Sequence, residues 1–95
     1  MDIVWRRMAL DDLEAARRYV AEHNPGAVAR VRSAILTSIG RLADHPNLGR
    51  PGRVDGSREL VIPRTPYIVA YAVLDELVMI LSVMHSARKW PDRFA

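Results

Sequence analysis

The chain contains no cysteine. Disulfides, thiolate metal sites and thiol nucleophiles are therefore excluded. No apolar run reaches the ~18 residues that a bilayer span needs. Met1-Asp2-Ile3 does not open a signal peptide, so a cytoplasmic location with no membrane partner is expected. Lysine is almost missing: Lys89 stands alone, and arginine supplies 13 of the 14 basic residues. No Gly-rich phosphate loop follows a strand, and Ser57, Ser82 and Ser86 lie in no nucleophile motif. His23, His45 and His85 are not at ligand spacing, so neither a metal nor a cofactor is expected. Repeats, low-complexity tracts and linkers are absent. One domain spanning residues 1–95 is the simplest reading.

What is present is ordinary for a folded protein: 49% hydrophobic and 26% charged residues in a 95-residue chain. The net charge is +3 and the pI about 10.0. Arginine pairs in bidentate fashion with phosphate or carboxylate, which points to nucleic acid or an acidic protein as partner.

Asp2 to Arg6 reads as a short strand, with Ile3 and Trp5 on one side. Ala9, Leu13, Ala16 and Val20 then fall at helical spacing, predicting a helix over about Ala9–His23. Asp11, Asp12 and Glu14 lie early in it and read as a solvated first turn that suits the helix dipole. Asn24-Pro25-Gly26 punctuates. A second helix follows over about Pro25–Ala43, with Val28, Val31, Ile35, Ile39 and Leu42 as its stripe. The tight turn between them makes an antiparallel helical hairpin. Asp44 to Ser57 holds two prolines and three glycines, so no regular element is expected there. Strands are predicted at about Arg58–Pro63, Tyr67–Leu74 and Leu77–His85, and a short tail runs from Ser86. Segregated strands and helices define an α+β domain, ordered β-α-α-β-β-β, with the helical hairpin packed on a small antiparallel sheet.

A two-residue turn at Asp75-Glu76 would pair Leu74 with Leu77, Tyr71 with Ile80 and Ile68 with Val83. Ile68, Ala70, Ala72, Met79, Leu81, Val83 and His85 then share one face. Two helices cover only one face. The other face is apolar too; it is expected to be covered by a partner, the alternative being that the loop Asp44–Ser57 and the tail fold over it.

The last strand ends in His85, Ser86, Arg88 and Lys89, with Trp90 close behind. A histidine serves acid–base chemistry near neutral pH, and arginines hold phosphate. His85, Arg88 and Arg64 would together suit metal-free cleavage of RNA through attack by a 2′-hydroxyl.

Three segments resemble the RelE/ParE superfamily of bacterial toxins. They are Trp5 followed by a helix with Asp12-Leu13-Glu14 and Tyr19, the stretch LGRPGRVDGSRELVIPRTPYIVAYAV, and the exit ILSVMHSARKWP. The resemblance implies the toxin of a type II toxin–antitoxin pair. Its partner would be a cognate antitoxin, an acidic and flexible segment wrapped on the toxin in a hetero-oligomer. The antitoxin-binding face would be Ile68, Ala70, Ala72, Met79, Leu81 and Val83. RelE-like members cleave mRNA on the ribosome; ParE-like members poison DNA gyrase. The ribonucleases usually carry an arginine in the middle strand, in a pattern like Y-R-L-V-Y. Here Tyr67-Ile68-Val69-Ala70-Tyr71 places isoleucine at that position. The resemblance therefore favours the ParE-like branch, with His85, Ser86, Arg88, Lys89 and Trp90 as its effector surface. The ribonuclease alternative would use His85, Arg88 and Arg64. A second alternative is an inactive homologue kept as an antitoxin-bound scaffold.

Overall fold

A computed structural model describes residues 1–87, 90, 91 and 94. The element order is β1 (Asp2–Trp5), α1 (Arg7–His23), α2 (Val28–Gly40), β2 (Arg50–Pro51), β3 (Arg58–Val61), β4 (Tyr67–Leu74) and β5 (Leu77–His85). A 3₁₀ turn at Pro25–Ala27 leads into α2, and another at Arg41–Ala43 closes it. The predicted hairpin of helices on a sheet is therefore present. The five strands run in the order β1-β5-β4-β3-β2.

Two features of the sheet depart from expectation. β1 pairs in parallel with β5, so the sheet is mixed. The long loop also contains a strand: Arg50 and Pro51 pair with Glu59 and Arg58. Proline is tolerated there because β2 is an edge.

Asp75-Glu76 is a two-residue connection with Leu74 opposite Leu77. Asp75 takes φ 52°, a left-handed conformation that aspartate tolerates better than most residues. The register from there matches prediction as far as Tyr71↔Ile80. It then slips: Ala70 faces Ser82, Val69 faces Val83 and Ile68 faces Met84. Leu81 is the extra residue of a β-bulge. The slip turns Val83 and His85 to the helix side, away from Ile68. The expected shared face of Ile68 with Val83 and His85 is thus corrected.

The helix side buries one continuous cluster, including Ala16, Val20, Val31, Ile35, Leu42, Val69, Tyr71, Val78, Ile80 and Val83. Tyr71 is fully buried but its hydroxyl is satisfied. It donates to the Pro46 carbonyl at 2.8 Å and accepts the Gly49 N–H at 2.8 Å. Gly49 permits this approach: a Cβ there would lie 2.7 Å from the Glu59 carbonyl oxygen and 2.8 Å from the Tyr71 ring.

The centre of the other face is covered as well. Ile68, Ala70, Ala72 and Met84 are buried outside that cluster, and Met79 and Leu81 are half-buried. The face expected to be open is therefore covered over its centre, while Val4, Val61 and Leu74 around it stay 40%, 50% and 49% exposed, and Val83 of the six residues assigned to the antitoxin lies on the helix side. With both helices on the opposite side, the cover is the chain's own loop and tail. Buried Val54 belongs to the loop. From the tail, Trp90 lies beneath the Arg53 guanidinium, 4.0 Å from ring centroid to charge. Arg53 is in turn held by Glu59, whose side chain is only 2% exposed. Glu59 accepts the Arg53 backbone N–H at 2.7 Å and pairs with both Arg53 and Arg50. Burial pushes its carboxyl up, but the Arg53 N–H and the Arg50 and Arg53 guanidiniums outweigh that and hold it below the usual range.

Candidate functional site

β1 stops at Trp5, opposite Ile80, and leaves the outer edge of β5 without a strand beyond that point. α1 fills the gap. Asp12 accepts the Ser82 hydroxyl at 2.6 Å and the Val83 N–H at 3.0 Å. An unpaired strand edge must find acceptors somewhere, and a carboxylate provides a strong, charge-assisted one. Asp12 is thus a structural clasp on the bulge, not part of a solvated turn.

Below this clasp lies a groove of about 280 Å³, lined by Asp12, Ala15, Ala16, Tyr19, Tyr67, Val83 and His85. The bulge brings His85 into it, opposite Tyr67 in the register. The His85 ring meets Tyr67 edge-on at 5.6 Å and Tyr19 at 5.9 Å between centroids. His23 stacks on Tyr19 at 4.1 Å, one helical turn away. His85 Nδ1 accepts the Ala87 N–H at 3.1 Å, which places the proton of the neutral ring on Nε2. His23 Nδ1 donates to the Tyr19 carbonyl at 2.8 Å. The lining is aromatic and imidazole, with one carboxylate and, among the described residues, no arginine or lysine. Three histidine or acidic side chains poised around a metal are not found among the described residues either.

Arg64 does not join His85. Ile62-Pro63-Arg64-Thr65 forms a turn closed by Thr65 N–H to the Ile62 carbonyl at 3.3 Å. Arg64 points the chain through φ 61°. Its carbonyl accepts from the Arg30 guanidinium of α2 at 3.1 Å, and it lines a separate groove with Arg30, Ser33, Thr37 and Ser38. Arg88 and Lys89 lie outside the described residues. Ser86 is exposed, its N–H donated to the Pro66 carbonyl at 2.7 Å. Trp90 is half-buried against Arg53. The proposed effector residues are therefore not one open patch: His85 faces α1, and Trp90 meets the loop on the far side of the sheet.

Sequence reasoning missed Tyr19, His23 and Tyr67 as neighbours of His85. The four-residue spacing of Tyr19 and His23 was the available signal. It also missed an apolar groove of about 150 Å³ between α1 and α2, lined by Leu10, Leu13, Val20, Val28 and Val31 and edged by Arg17 and Arg32. Leu10 is 48% exposed and Met8 46%.

The sequence matches, over residues 3–90, the family described as the ParE toxin of the type II toxin–antitoxin system parDE, and the chain belongs to that family. Y4kP of Sinorhizobium fredii, whose name carries the word toxin, is 42% identical across 95% of this chain and 93% of its own. Toxin RelE2 of Caulobacter vibrioides is 36% identical across 90% and 96%. A solved structure titled as the chromosomal ParDE system of P. aeruginosa superposes with a TM-score of 0.80 at 25% identity, covering 90% of this chain and 95% of that one. Among the described residues no helix is long and apolar enough to cross a membrane.

Proposed function

We propose that this toxin is neutralised in the cytoplasm by an acidic antitoxin and that, when free, it acts by binding DNA gyrase and does not cut RNA. The observation that carries the reading is the His85 groove. It holds the Asp12 carboxylate and no cation among its described lining residues, whereas a phosphate undergoing cleavage needs positive charge beside it. Ile68 faces the opposite side of the sheet, and Arg64 faces α2. The ParDE likeness supports the same branch. Controlled expression tests it. Induction of the DNA-damage response and filamentation, with intact mRNA, is the expected outcome. Ribosome-dependent mRNA cleavage that disappears in His85→Ala would overturn it.

The antitoxin's seat is the α1–α2 groove, because it offers apolar side chains open to solvent, whereas Ile68, Ala70 and Ala72 of the strand residues first assigned to it are buried. Exposed Leu10 and half-buried Leu13 and Val28 offer apolar anchors, and Arg32 suits an acidic side chain, Arg17 being already paired with Glu14 of the same groove. Leu10→Asp leaves the core untouched and should weaken antitoxin capture in a pull-down. Unchanged capture would move the seat elsewhere.

One observation favours the ribonuclease as second reading. Tyr19 and Tyr67 present rings beside His85 on which a base could stack, with His85 as acid or base and Arg88 as phosphate holder. The relative named RelE2 fits that reading.

A further inference from the structure

Between Glu22 and Asp44 the sequence has no carboxylate, and its charges there are Arg30, Arg32 and Arg41. Folded into α2 and its closing turn, Arg30, Ser33, Thr37 and Arg41 follow a spacing of three and four residues, so they share one helical stripe. All four are exposed. The stripe borders two adjoining grooves, of about 370 and 350 Å³, which share Ser38 and Pro63. Arg64 lines the first, and Arg50 lines the second. Among the described residues the only carboxylate in either lining is Glu59, which is buried and already paired. No described residue forms an ion pair with Arg30, Arg41 or Arg64. By contrast Arg7, Arg17 and Arg18 of α1 all pair with acidic neighbours on their own helix.

Arg64 supplies a second, independent observation. It sits third in a turn with proline second, at φ 61°. Glycine or asparagine is the usual occupant of such a position. A long cation is held there at a conformational cost, and its carbonyl accepts from a second arginine that lines the same groove. Strain of this kind collects where a side chain is used.

We propose that this groove is a seat for the sugar–phosphate backbone of duplex DNA. Guanidinium and hydroxyl donors in alternation are the groups that contact phosphate oxygens. From Arg30 to Arg41 the stripe runs roughly 16 Å along the helix axis, or about five base-pair steps. The grooves are lined by no aromatic side chain among the described residues. Single strands are held by stacking on such rings, so a stacked duplex fits better. The contact reads backbone and not sequence. It would let the toxin engage DNA already held by another protein, and it does not depend on the gyrase reading.

The test is fluorescence anisotropy of the full chain with a labelled mixed-sequence duplex, titrated with salt. Arg30→Ala/Arg64→Gly is compared with Arg7→Ala/Arg18→Ala, which removes the same charge from α1. Glycine suits the turn, so a thermal melt of the first variant should show no loss of folding from position 64. The groove variant is expected to bind about 10-fold or more weakly, with a log–log salt slope shallower by about 1.8. The α1 variant should stay within about 2-fold, since its arginines are already neutralised. Equal losses in both variants would mean diffuse attraction and overturn the proposal. So would tighter binding to duplex RNA, or binding to polyglutamate but not to DNA.

Discussion

The two faces of the sheet are both covered at their centres, but by different physics. The helix side is sealed by apolar side chains from two amphipathic helices, and Ile35, Val69, Tyr71, Val78 and Ile80 are at most 1% exposed. The loop side is sealed around one ionic node. Glu59 fixes Arg50 and Arg53, and Arg53 in turn stacks on Trp90. Apolar closure is insensitive to pH and salt. Ionic closure is not. The side that carries the tail is therefore the side that conditions can loosen.

Substitutions should separate the two faces in order of size. Ile35→Ala opens a cavity in the helix-side core and should cost about 2–5 kcal/mol in denaturant unfolding. The loss should be the same at pH 7 and at pH 4. Glu59→Gln keeps the shape but removes the charge that four donors address, and about 1–3 kcal/mol is expected.

This variant also carries the pH test. The folded-state pKa of Glu59 is depressed, so its contribution is present above the unfolded value of about 4.3. It is lost as pH falls through the folded value below that. Glu59→Gln should flatten this acid limb of stability, and an unchanged limb would assign it to another carboxylate.

Asp12→Ala strips the acceptor from the Val83 N–H and should cost about 1–2 kcal/mol. It should also broaden the NMR signals of His85, which the bulge positions. Trp90→Phe, the smallest change, weakens only the cation–π stack, by about 0.5–1 kcal/mol. Its effect should grow as salt is lowered.

Both helices, four of the five strands and the Asp75-Glu76 turn were legible because each leaves a local pattern of period or punctuation. The bulge was not. Met79-Ile80-Leu81 is apolar throughout, so inserting one residue leaves no break in the pattern, yet it moves His85 across the sheet. Asp12 read as a solvated acid because its partners lie 70 and 71 positions away. The cover over the second face could be named from sequence only as an alternative to a partner, because Glu59, Arg53 and Trp90 form a chain of contacts that no spacing announces. Arg64 was rightly singled out as a cation at the turn. Its direction, towards α2 and away from His85, follows from a backbone angle that sequence alone does not specify.

The central claim is that the free toxin works by binding gyrase and not through His85 chemistry. The most direct measurement is inhibition of purified DNA gyrase in a supercoiling reaction, run with the full chain and with His85→Ala. The account predicts inhibition by the wild-type chain, relieved by antitoxin, with at most a modest weakening in the variant. Unimpaired supercoiling at toxin excess, together with His85-dependent cleavage of mRNA on ribosomes, would contradict it.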